Sequence, residues 1–129
     1  MEAIVRSLMG FAASHLQKPI PDLPIIQIEP DCEYLGRIEW GLRTRIKLKY
    51  WRDGNAFDRS VLLHEICHAI QRFNDMPMQY DGIDEAEIEA ITVQCRYLQS
   101  QGLDPRTALS EAQIFQMTRD KEFSKLEWL

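Results

Sequence analysis

Apolar residues near the start of the chain recur every three to four positions: Ile4, Val5, Leu8, Phe11, Ala12 and Leu16 form one stripe, with His15 beside it. That period predicts an amphipathic helix over residues 2–17. Pro19 and Pro21 forbid its continuation, because proline lacks the backbone N–H and its ring clashes with the preceding turn. The period then changes. Ile25, Ile26 and Ile28 lie between Pro24 and Pro30, and Tyr34 to Trp40 is rich in β-formers. Arg43 to Trp51 alternates Ile46, Leu48 and Tyr50 with Arg45, Lys47 and Lys49, the two-residue repeat of a strand with one solvated face. These segments predict a small three-stranded sheet. Asp53-Gly54-Asn55 is a turn signal, Asp58 is the expected N-cap, and the apolar-periodic run to Phe73 predicts a long buried helix.

Asn74 to Gly82 carries Pro77 and reads as a loop. Asp84 to Gln101 reads as a second long helix closed by Gly102 near C′, and Asp104-Pro105 supplies the N-cap and first position of another. The stretch to Leu129 mixes charges with Leu109, Ile114, Phe115, Met117, Phe123, Leu126 and Trp128, as expected of one or two helices packed partly on the domain. The resulting expectation is an α+β fold in one domain, 1–129, with a core over 1–101 and a helical extension over 104–129.

Composition narrows the function classes. With 129 residues, 45% of them hydrophobic and 27% charged, the chain can bury one core without disulfide staples. Cys32, Cys67 and Cys95 are odd in number and lack CxxC spacing, against a disulfide framework or a Cys-only zinc site. A net charge of −5 has the wrong sign for a protein held to phosphate backbones, so nucleic acid is not the expected partner. The first residues lack a basic n-region, and no window reaches the ~18 apolar residues of a spanning helix. The expected compartment is therefore cytoplasmic, with no membrane partner.

The chemistry concentrates in Leu62-Leu63-His64-Glu65-Ile66-Cys67-His68-Ala69-Ile70-Gln71, which contains His-Glu-x-x-His. Residues four apart stack on one helical face, so both imidazoles can reach one Zn²⁺ while Glu65 lies beside them to serve a metal-bound water. Two of the protein's three histidines occupy this pattern. The competing reading is a core helix whose histidines are hydrogen-bonded internally. Each buried polar group left unpaired in that case costs roughly 1–3 kcal/mol. Cys67, between Ile66 and His68, turns away from the metal face and reads as a small core residue.

A catalytic zinc needs a third protein ligand and an open position. Glu85, Glu87 and Glu89 on the following helix are the candidates. Stepping about 100° per residue places Glu87 near the middle of the apolar arc with Gln94 beside it, whereas Glu85 and Glu89 share a polar stripe with Thr92, Arg96 and Gln99. An unpartnered buried carboxylate is expensive, which favours Glu87, with Glu89 and Glu85 as alternatives.

On these residues, 58–101 resembles the gluzincin metallopeptidases, where a Glu ligand on a second helix follows the His-Glu-x-x-His helix. Glu87-Ile88-Glu89-Ala90 looks like the Glu-x-Glu-Ala signature of CAAX-type and anti-repressor proteases. Those families often carry Asp or Asn just after the Ala; Ile91 stands there instead, so Glu89 or another residue must orient a zinc histidine. The resemblance implies a minimal zincin-like metalloendopeptidase acting on a peptide or protein substrate. His64, His68 and Glu87 would hold Zn²⁺, and Glu65 would take a proton from the bound water and pass it to the leaving amine. Tyr80 is the expected oxyanion donor, with Tyr50 and Arg72 as rivals. The resemblance also implies a sheet edge that receives the substrate, and Arg43 to Trp51 is the candidate. Three other classes stay open: a catalytically degenerate zincin-like fold acting as a protein-binding or regulatory module, a non-haem iron enzyme, and a metal-free interaction protein.

Overall fold

The computed structural model describes residues 1–74 and 85–109. Its elements are α1 (Glu2–Leu16), β1 (Ile25–Ile28), β2 (Gly36–Glu39), β3 (Arg45–Leu48), α2 (Ala56–Phe73), α3 (Glu85–Ser100) and the one-turn α4 (Pro105–Ala108). The fold is α+β, as the change of period predicts. Residues 110–129, where further helices are expected, and most of the 74–82 loop lie outside the described residues. Among the described residues no helix is long and apolar enough to cross a membrane.

α1 closes at Gln17, whose left-handed backbone (φ 54°) lets its N–H reach the Ala13 carbonyl at 2.7 Å just before the proline segment. The sheet order is β1-β3-β2, with β3 parallel to β1 and antiparallel to β2. Ile46 pairs with Ile26 on one side and Ile38 on the other. β3 is thus the central strand, which corrects the expectation that Arg43 to Trp51 forms an edge. The reason lies in Lys47: it does not guard a free edge but reaches Glu29 at 3.2 Å and Glu39 at 3.3 Å across its two neighbours. Ile46 and Leu48, on the opposite face of the strand, are wholly buried. Among the described strands the edges are β1 and β2.

The start of α2 also differs from expectation. Asn55, with extended backbone, is the N-cap, and its side chain accepts the Asp58 N–H at 2.9 Å. Asp58 lies in the first turn instead, where it accepts hydrogen bonds from the Arg52 backbone at 2.7 Å and from its guanidinium at 2.9 and 2.6 Å. Burial alone would raise the Asp58 pKa, but the bonds and charge of Arg52 outweigh it and hold the carboxylate below its ordinary value. The chain leaving the sheet is thereby clamped to the helix that carries the motif.

α2 is the centre of the molecule and is buried almost continuously from Asp58 to Gln71. α1 supplies Val5, Leu8, Met9 and Ala12 to the shared core, α3 supplies Ala90, Ile91, Val93 and Leu98, and the sheet supplies Ile46 and Leu48. Each fully buried aliphatic side chain of this kind contributes about 1.5–3 kcal/mol. α3 ends as expected: Gly102 (φ 78°) sends its N–H to the Gln99 carbonyl and Leu103 reaches the Leu98 carbonyl, both at 3.0 Å. The three cysteines are free and buried.

Candidate metal centre

The long α2–α3 packing seam brings His64, His68 and Glu87 together, with one ligand-type atom from each lying within 4.8 Å of the others. His64 Nε2 is 3.2 Å from His68 Nε2 and 3.8 Å from Glu87 Oε2, and Glu87 Oε1 pairs with His68 Nε2. The two rings are nearly perpendicular, with centroids 4.8 Å apart. His64 is wholly buried, His68 is 7% exposed and the Glu87 side chain 14% exposed. This group could hold a metal ion. Glu85 is exposed, and Glu89 stands one step behind, accepting from Gln71 Nε2 at 3.0 Å. Neither joins the histidines.

Two glutamines fix which nitrogen of each ring faces the centre. Gln71 Nε2 donates to the Ala86 carbonyl at 2.9 Å and to Glu89, both acceptors only, so Gln71 Oε1 must be the atom 2.8 Å from His68 Nδ1. Ser60 donates its hydroxyl proton to the Phe57 carbonyl at 2.7 Å, so it accepts from Gln94 Nε2 at 3.1 Å. Gln94 Oε1 is then the atom 3.0 Å from His64 Nδ1. Both Nδ1 atoms therefore donate, and both Nε2 atoms turn toward Glu87. Orienting a ligand histidine through its other nitrogen is the usual role of the shell around a metal. The amides do here what an acidic residue at position 91 was expected to do, and Ile91 is part of the apolar core instead.

Two Nε2 lone pairs at 3.2 Å cannot bond each other unless one carries a proton. Burial pushes the His64 pKa down to about 4, against the pull of Glu87. Burial also works against charge on His68, but its hydrogen bond to Glu87, the Glu87 and Glu65 charges and Gln71 outweigh this and raise it to about 9. In the metal-free protein one proton on His68 thus occupies the position where three acceptor atoms converge.

Glu65 is buried on the same helix, and its charge is felt by both His68 and Cys67. Its carboxylate lies against β2: a Cβ at Gly36 would meet Val61 Cγ1 at 2.9 Å, Glu65 Cγ at 3.1 Å and Glu65 Oε1 at 3.2 Å. Gly36 lets the strand approach Glu65 closely. Burial raises the Cys67 thiol far above its ordinary pKa, in keeping with a core residue.

Tyr80 lies outside the described residues. Tyr50 is 48% exposed just past β3, its ring approached by Lys49 and Arg52. Arg72 sits in the last turn of α2 over the Trp40 ring. Sequence reasoning missed the roles of Gln71, Ser60 and Gly36. The available signals were an amide three residues after His68, and a hydroxyl one helical turn before His64. Comparison with known protein families, curated proteins and solved structures finds no match for this chain in any of the three.

Proposed function

We propose that this protein is a zinc metalloendopeptidase of gluzincin type. The observation that carries the reading is the convergence of two Nδ1-anchored histidines and one carboxylate with a second buried carboxylate, Glu65, on the motif helix. Three protein ligands leave one position of a tetrahedral ion open, the arrangement of catalytic rather than structural zinc.

Bound there, zinc would supply a polarised carbonyl and an acidified water. His64, His68 and Glu87 would hold it. Glu65 would take a proton from water and pass it to the leaving amine, and its burial against Gly36 keeps that carboxylate from swinging into bulk solvent. The buried Leu62, Leu63 and Ile66 around the motif exclude water. β2 pairs only with β3 among the described strands, so its outer edge, not that of β3, is the one beside Glu65 that can take an extended peptide by strand addition.

The test is a degenerate peptide library incubated with the zinc-loaded full chain and read by mass spectrometry. The expected outcome is cleavage that Glu65→Gln reduces by roughly 10²–10⁴-fold while metal is retained, the range for removing a general base. Retained metal with no cleavage of any peptide or protein substrate would leave a binding module instead.

A further inference from the structure

The motif helix continues past the histidines to Phe73. Seven residues make nearly two turns, so Arg72 projects from the same side of α2 as Glu65, with Ala69 between them. β2 runs along this side: Gly36 lies against Glu65, and Trp40, just beyond the end of the strand, lies under Arg72, whose guanidinium carbon is 4.5 Å from the ring centroid. Pro21, Trp40, Thr44, Ala69, Arg72 and Phe73 line a cleft of about 390 Å³ beside this end of the helix. That volume accommodates a side chain with neighbouring backbone.

Arg72 is exposed, and among the described residues no carboxylate lies within ion-pair distance of it. The contact with Trp40 holds the guanidinium beside the cleft, and the N–H fork of an arginine matches a carboxylate with two parallel hydrogen bonds. Trp40 and the 55% exposed Phe73 offer apolar walls for the methylenes that carry such a group, and Thr44 adds a hydroxyl. One helical turn, about 6 Å of rise, separates the Arg72 level from that of His68.

We infer that this cleft receives a carboxylate of the bound peptide, with Arg72 as the specificity-determining residue. The inference rests on the peptidase reading for its substrate, and its test is built to separate the two. Capped heptapeptides of Gly, Ser and Ala carrying one central Glu, Gln or Lys are titrated calorimetrically into the full chain, once with zinc and once with chelator. An uncapped Gln peptide, with a free C-terminal carboxylate, distinguishes a chain end from a side chain as the source. The expected result is a Glu peptide bound roughly 10- to 100-fold more tightly than its Gln isostere, the size of one charge-assisted bidentate contact. Arg72→Gln should erase the difference and Arg72→Glu should shift preference to Lys, with circular dichroism confirming that both variants fold. A gain confined to the uncapped peptide assigns the carboxylate to a chain terminus.

Equal affinity for the capped Glu, capped Gln and uncapped Gln peptides in the wild type, no measurable binding of any peptide, or a preference that survives Arg72→Gln overturns the inference. Hydrolysis without the preference discards the cleft and keeps the peptidase; the preference without hydrolysis of any substrate does the reverse.

Discussion

Among the described residues α2 packs against the long helices α1 and α3, and the two seams are built from different chemistry. α1 offers Val5, Leu8, Met9 and Ala12, all apolar and nearly fully buried. α3 offers apolar residues too, but across it Gln94 meets His64, Glu87 meets His68, and Glu89 meets Gln71. The first seam needs only to exclude water. The second buries charge and amides at a cost of several kcal/mol unless every group is satisfied. An apolar seam would be the cheaper way to hold α3 in place, and the polar one is where the group that could hold a metal ion lies.

Substitutions on the two sides should therefore separate stability from metal binding. Leu8→Ala in the apolar seam should cost about 2–5 kcal/mol in chemical denaturation, with zinc affinity of the folded protein unchanged. If zinc binding weakens in step, the seams are not independent. Gln94→Ala should do the opposite, lowering zinc affinity by about 10–100-fold through loss of the His64 anchor, with a smaller change in metal-free stability than Leu8→Ala produces. Competition with a chromophoric chelator reads the first effect and denaturation the second.

The third effect is smaller per step and depends on pH. The His68 pKa, raised from 6.5 to about 9, gives the metal-free fold a stabilisation that is complete below pH 6.5 and lost as pH climbs through about 9. Zinc bound at this centre would have to displace that same proton. Its apparent affinity should therefore rise by up to about tenfold per pH unit across this window and flatten above it, with one proton released per ion at neutral pH. His64, pushed down to about 4, is neutral throughout the window and contributes no slope. Calorimetry in buffers of differing ionisation enthalpy counts the proton.

Much of this arrangement is legible in the sequence where the signal is local. Periodicity locates α1, α3 and the end of α2 within a residue or two, with the start of α2 three residues earlier than expected, and the apolar arc of α3 singles out Glu87 over Glu85 and Glu89. What fails is non-local. Alternation in Arg43 to Trp51 looks the same in an edge strand as in a central one, and only the parallel pairing with β1 makes β3 central. Asn55 and Asp58 are both competent N-caps, and the choice falls to Asn55 because Arg52 claims the Asp58 carboxylate. Glu89 reads as part of a solvated stripe, yet Gln71 reaches across from α2 to hold it. Gly36 gives no sign of its role until the strand is laid against Glu65.

The measurement that bears most directly on the central claim is metal content of the purified full chain by mass spectrometry, wild type beside His64→Ala and Glu65→Gln. Near-stoichiometric zinc is expected in the wild type and in Glu65→Gln, and its loss in His64→Ala. Wild-type protein that holds no metal even after reconstitution with zinc would contradict that claim, and His64, His68 and Glu87 would then be a buried, hydrogen-bonded cluster of the core.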